Sequence, residues 1–153
     1  DFLVLDEPVS NLDVSIQAQI VNLLLELRAR FDLTYLFISH DLHLVAYVSD
    51  AIGVMFRGRM VERAPTGSIM ARPRHPYTQR LFSSVPDALA EGAGVTDAVA
   101  EPAASAPAVS GHGCRYCGQC NRETARCRAE EPELRDAGDG HLVACWEAEF
   151  TES

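Results

Sequence analysis

Four apolar residues, Phe2-Leu3-Val4-Leu5, run without a break into Asp6-Glu7-Pro8, and this junction restricts the fold more than any other stretch. A continuous apolar run of that length fits a strand covered on both faces, as in a parallel sheet, with the carboxylates where the cover stops. Pro8 lacks an amide proton and ends the pairing. After a polar turn, Asp13 is placed to cap a helix. Ile16, Ile20, Leu24, Leu27 and Phe31 then recur close to the 3.6-residue period, carrying the helix to about Arg30 with one face on a sheet. Thr34-Tyr35-Leu36-Phe37-Ile38 is a second β-rich run that stops at Ser39-His40-Asp41, and a short helix through Leu44, Val45 and Val48 follows. Strand, helix, strand, helix implies an α/β chain with parallel pairing and crossover connections.

Ala51 to Phe56 and Met60 to Arg63 read as two more strands joined at Arg57-Gly58-Arg59, where Gly58 supplies the positive φ of a tight hairpin. This hairpin is expected to close the first domain's sheet, giving a domain over residues 1–64. Pro65, Pro73, Pro76 and Pro86 bound an extension over 65–87 with a short helix at Tyr77 to Ser84. Residues 88–110 change to Ala, Gly, Pro and Ser with little that builds a core, the composition of a linker. All five cysteines fall in 111–153, which has too few large apolar residues to fold without a staple.

At 153 residues and 47% hydrophobic, the chain buries one modest core. No apolar run reaches the roughly 18–20 residues of a bilayer-spanning helix, and nothing at the start reads as a signal peptide; membrane association is expected through a partner. The formal charge of -9 is uneven: residues 1–86 carry nine Asp/Glu against eight Arg, residues 87–153 thirteen against five. An acidic second half argues against nucleic-acid binding, which needs clustered positive charge. Lysine is absent throughout.

The acids at the first strand end have a chemical reading. Asp6 is placed to serve a Mg²⁺ shell beside the β/γ-phosphates of a nucleotide, and Glu7, one residue on, to orient and polarise the attacking water. Asp6-Glu7-Pro8-Val9-Ser10-Asn11-Leu12-Asp13, followed at the next strand end by Ser39-His40-Asp41, resembles the Walker B, D-loop and switch-histidine series of ATP-binding-cassette (ABC) ATPases. The resemblance implies the C-terminal part of a P-loop NTPase sheet. It implies that Asp13 lies on the loop meeting a second ATPase subunit, and that His40 bonds the γ-phosphate and aligns Glu7 with water. Asn11 stands where the family commonly has Ala. Both Asp6-Glu7 and His40 fall at the carboxyl ends of strands, where open α/β sheets bind ligands. The phosphate-binding loop with its lysine, the glutamine loop and the signature motif are missing, and the chain starts at Asp1 without Met. The expectation is a fragment that is inactive alone and an ATPase when complete.

Val14-Ser15-Ile16-Gln17-Ala18-Gln19-Ile20 and Arg72-Pro73-Arg74-His75-Pro76-Tyr77-Thr78-Gln79-Arg80-Leu81 are similar to the ATPase subunits of dipeptide, oligopeptide and nickel importers. Physically the second motif is a Pro-bounded helix start with Tyr77 packed on the core, so no catalysis is assigned to His75 or Tyr77. Cys114, Cys120, Cys127 and Cys145, separated by five, six and seventeen residues near Gly113, resemble the C-terminal extension of the same subunits. Clustered thiols in a reducing compartment favour metal over disulfides, and four thiolates suit a [4Fe-4S] cluster or Zn²⁺. Cys114-x-x-Cys117-x-x-Cys120 also mimics a ferredoxin run; the family match makes Cys117 the spare. His112 and His141 are alternative fourth ligands for zinc.

The resemblance implies an energy-coupling subunit that uses ATP and Mg²⁺ at the cytoplasmic face of the membrane. It would pair with a second ABC ATPase and dock on permease subunits that receive solute from an extracytoplasmic binding protein. The alternatives are a soluble ABC ATPase of DNA repair or translation, and a non-catalytic metal-binding regulatory fragment.

Overall fold

The computed structural model describes residues 1–10, 12–84 and 113–148, which form a mixed α/β chain. Asn11, His112 and the expected linker over 88–110 lie outside the described residues. The chain divides into two compact units, Asp1–Asp50 and Ala51–Ser153.

In the first unit β1 (Phe2–Asp6) pairs in parallel with β2 (Thr34–Ile38), in register from Phe2 opposite Thr34 to Asp6 opposite Ile38. Between them runs α1 (Val14–Phe31), which starts where the Asp13 carbonyl accepts from the amides of Ile16 and Gln17, both at 2.9 Å. It stops at Asp32, whose φ of 51° turns the chain left-handed and lets its amide and that of Leu33 bond back to the Arg28 carbonyl. Next comes α2 (Leu42–Val48), capped by the Asp41 carboxylate, which accepts from the Leu44 amide at 3.1 Å.

The buried centre of this unit is Val9, Val21 and Val48, with Ile20, Leu25, Phe37 and Leu44 packed against it. The buried stripe of α1 is therefore shifted from the expected one: Ile16 and Phe31 are exposed, and Val21 is the residue fully covered. A two-stranded sheet presents a narrow surface, so it covers about one row of helix positions. For the same reason β1 is not covered on both faces, and Phe2 and Val4 remain 65% and 54% exposed.

The second unit opens with a hairpin, β3 (Ala51–Phe56) and β4 (Arg59–Pro65). Its two-residue turn places both Arg57 (φ 46°) and Gly58 (φ 77°) in the left-handed region, the geometry whose twist matches the flanking strands. The ladder slips between Val54, opposite Glu62, and Met55, opposite Met60, so Val61 is an extra residue in β4. This bulge breaks the in–out alternation, and Val61 and Glu62 are both buried.

The hairpin does not complete the sheet of β1 and β2, as the sequence suggested. Its sheet has the order β3-β4-β6-β5, with β5 (Arg135–Asp136) and β6 (Leu142–Val143) drawn from the cysteine-bearing tail. Glu62 stands opposite Val143, and the Ala144 amide donates to the Val61 carbonyl at 2.8 Å. The long-range partner of β4 is thus supplied from about 80 residues downstream, beyond the reach of any local pattern.

Among the described residues the unit also holds three short helices: α3 (Thr66–Ala71), α4 (Pro76–Ser83) and α5 (Ala125–Ala129). Pro76 occupies the first position of α4, where a missing amide proton costs nothing, and His75 caps it by accepting from the Tyr77 amide at Nδ1, 3.0 Å away. Tyr77 packs its ring against Phe56 (centroids 4.6 Å apart) and Tyr116 (5.6 Å), which ties the Pro-bounded motif to both hairpin and tail.

Candidate functional site

The last hydrogen bond of the β1–β2 ladder lies one step past the strand, where the Glu7 amide donates to the Ile38 carbonyl at 2.9 Å. Glu7 then takes φ 45°, an uncommon conformation for a residue with a Cβ, and the chain leaves the sheet. The Ser10 amide (3.3 Å) and hydroxyl (3.2 Å) both bond to the Glu7 carbonyl and hold this turn. At the neighbouring strand end, Ser39 and Asp41 organise the turn around His40: the Ser39 hydroxyl accepts from the Asp41 amide at 3.1 Å while Asp41 caps α2. The two turns bring His40 Nδ1 within 3.1 Å of Glu7 Oε1.

Both side chains of this pair are open to solvent, 74% for His40 and 48% for Glu7, so a ligand and a water molecule can reach them. The exposed pair adds little to folding free energy. Asp6 lies opposite Ile38 on the same edge. Asp13 is at the start of α1, where its backbone carbonyl is used and its carboxylate makes no capping bond. No hydrogen bond or ion pair among the described residues joins Asp6 or Asp13 to the Glu7–His40 pair.

The cysteines lie in the second unit, and backbone contacts bring their loops together. The Cys114 amide donates to the Cys127 carbonyl at 2.7 Å, and Gly113 passes so close to the same helix, α5, that a Cβ there would stand 2.5 Å from the Arg128 carbonyl oxygen. Cys127 lies on α5, with the Thr124 hydroxyl 3.2 Å from its sulfur, and Cys145 stands just past β6, after Ala144. All five cysteines are free thiols. Burial is the first cause that raises Cys114, Cys120 and Cys145, the last to about 11, and a thiolate on any one of Cys114, Cys120 or Cys127 would push Cys145 up further.

Opposing that rise, each of three sulfurs accepts a backbone N–H from two residues on: Cys114 from Tyr116, Cys120 from Arg122 and Cys145 from Glu147. Cys117 differs. It is buried, it is pushed up to about 12 by burial and then by the field of Cys114, and its thiol donates to the Cys127 carbonyl at 3.2 Å. No three His, Cys, Asp or Glu side chains among the described residues stand at metal-ligand spacing. His141 is buried, with Nε2 bonded to Glu62 Oε1 at 2.6 Å. A cavity of about 470 Å³ lies beside Cys114, lined also by His75, Arg59, Arg115, Tyr116 and Glu131.

Sequence reasoning missed Glu62. It is fully buried and accepts from the Arg74 amide (2.7 Å), the His75 amide (3.0 Å) and His141. The one signal available was an acid in the middle of a strand-like run.

Residues 61–127 match the family described as oligopeptide/dipeptide transporter, C-terminal region. Across most of its length the chain is a relative of ATP-binding proteins of peptide transport. It is 42% identical over 146 residues to the oligopeptide transport ATP-binding protein AppF of Bacillus subtilis, covering 95% of this chain and 44% of that one. It is 39% identical over 157 residues to the dipeptide transport ATP-binding protein DppF of Escherichia coli, covering 100% and 45%. A putative peptide import ATP-binding protein of Brucella abortus is 44% identical over 149 residues, covering 95% and 45%. The chain spans less than half the length of these relatives.

Proposed function

We propose that this chain supplies the water-activating half of the site in an ATP-hydrolysing, energy-coupling subunit of an ABC importer for dipeptides, oligopeptides or similar solutes. The observation that carries the reading is the Glu7–His40 contact at the ends of two adjacent parallel strands. Glu7 holds one carboxylate oxygen on His40, leaving the other to orient water and take its proton. With Nδ1 turned to Glu7, Nε2 of His40 is the nitrogen left to meet the γ-phosphate. Asp6, at the same sheet edge, serves the Mg²⁺ shell. ATP and Mg²⁺ supply the phosphoryl group and the charge neutralisation when bound.

The Asp13 carboxylate, which makes no capping bond to α1, supports a role towards a second ATPase subunit. Among the described residues no helix is long and apolar enough to cross a membrane. The reading places the protein peripherally at the cytoplasmic face, on permease subunits served by a solute-binding protein. The family match over residues 61–127 favours transport over a soluble ATPase of DNA repair or translation. In the complete protein assembled with its permease, Glu7→Gln is expected to keep ATP binding and lower turnover by about 100-fold or more. Hydrolysis within a few-fold of the parent protein removes Glu7 from this role.

The tail, in the same reading, is a metal module in which Cys114, Cys120, Cys127 and Cys145 hold a [4Fe-4S] cluster, Zn²⁺ being the alternative. The fit is one of donor chemistry and loop placement, since the sulfurs are not at ligand spacing. Backbone N–H bonds to the sulfurs of Cys114, Cys120 and Cys145 support thiolates there. A bound cation would relieve the mutual repulsion of those thiolates and staple a segment with little core of its own.

A further inference from the structure

The Pro-bounded motif at residues 72–81 takes no part in the chemistry proposed above, and neither does the buried Glu62. The structure joins them. Glu62 is brought inward by the bulge in β4, and both its oxygens are used. Oε2 accepts the His75 amide at 3.0 Å; Oε1 accepts the Arg74 amide at 2.7 Å and His141 Nε2 at 2.6 Å. Two consecutive amides turned towards one carboxylate at a helix start form an anion seat. Pro76 begins the helix, and the Gln79 side chain donates to the Pro73 carbonyl at 2.8 Å, which keeps that seat in shape. Arg74 reaches from the same seat to the Ala137 carbonyl at 2.7 Å, on the tail segment that leads to His141.

We infer that Glu62, seated on the Arg74 and His75 amides, is a latch that positions the last cysteine, Cys145, through His141. Val143 lies opposite Glu62, Ala144 is bonded to Val61, and Cys145 is the next residue. The other three proposed ligands are tied to one another by their own loop, which meets the latch at the His75–Tyr116 ring pair, centroids 5.8 Å apart. Cys114 and Cys127 are bonded backbone to backbone, Cys120 lies within the same loop, and none of them hydrogen-bonds to Glu62 or His141. Release of Glu62 therefore frees one ligand of four. Glutamine at this position cannot replace the carboxylate, because its amide nitrogen would face one of three donors.

The latch rests on the metal reading for its purpose, and its test is chosen to separate the two. The full-length protein is alkylated anaerobically with iodoacetamide, with and without prior chelator, and each cysteine is followed by mass spectrometry beside iron and zinc content. Glu62→Gln and His141→Ala are expected to raise alkylation of Cys145 relative to Cys117 by about tenfold or more, as the loss of a charge-assisted buried bond shifts a local opening equilibrium. Both should lower bound metal per chain. His141→Gln, which keeps a donor near the position of Nε2, should restore both readouts.

An unchanged Cys145-to-Cys117 ratio in both variants overturns the latch. If Glu62→Gln exposes all five cysteines alike, His141→Ala decides, because it leaves the two amides satisfied; a non-selective result there also overturns it. A parent protein with neither iron nor zinc sinks the metal reading, and the latch is then judged on alkylation of Cys145 alone.

Discussion

Replacing Gly113 with alanine tests how the cysteine loops are held together. The demand for glycine there is one of space. The new Cβ would lie 2.5 Å from the Arg128 carbonyl oxygen and 2.9 Å from that of Cys127, both backbone atoms that no side-chain rotation can move. Reaching ordinary contact at 3.4 Å parts the two segments by 0.9 Å. The adjacent Cys114–Cys127 bond, 2.7 Å now, then stretches to about 3.6 Å and is lost. Overpacking at about 1–3 kcal/mol and a lost hydrogen bond at about 1 kcal/mol together make about 2–4 kcal/mol.

Gly118 is the control. Its φ of 82° strains an alanine, but nothing lies within 4 Å of its would-be Cβ, so the cost there is about 1–2 kcal/mol. Hydrogen exchange of the Cys114 amide in the full-length protein is the assay. Gly113→Ala should lose protection by about 30-fold to several hundred-fold, and Gly118→Ala by clearly less. Equal protection in the two variants would falsify the steric reasoning.

His75 and Cys117 offer further tests. Burial, opposed by the nearby Glu62 carboxylate, lowers His75 from 6.5 to about 4. The unfolded chain therefore binds a proton that the native chain refuses between those values, and stability is complete above about pH 6.5 and falls by about 3 kcal/mol as pH drops to about 4. His75→Asn, which keeps a capping acceptor, should flatten urea midpoints across that window; an unaltered slope would refute the assignment. For the metal module, Cys117→Ser keeps the donor to the Cys127 carbonyl and should retain iron or zinc, while Cys145→Ser should lose it. Equal loss by elemental analysis would put Cys117 among the ligands.

The local elements of the first unit were legible because their causes are local. A four-residue apolar run stopped by acids, a helix started by Asp13, and a second run ending at His40 all depend on sterics and periodicity over a few residues. The same holds for the turn at Gly58, although its neighbour Arg57 also turned left-handed. The Glu7–His40 contact followed only once two strands paired in register, the partners being 33 positions apart in the chain.

The sequence by itself determined the strands and helices of residues 1–64, the Pro-bounded helix after them, and where acids and a histidine sit at strand ends. Tertiary structure alone decided that the β3–β4 hairpin pairs with the cysteine tail, and that Glu62 turns inward to hold the His75 turn and His141. A bulge in β4 and partners 12 and 79 residues away settle that carboxylate's place. The physical reason is one of range: propensity acts between neighbours, whereas a buried charge is tolerated only where distant donors have already converged on it.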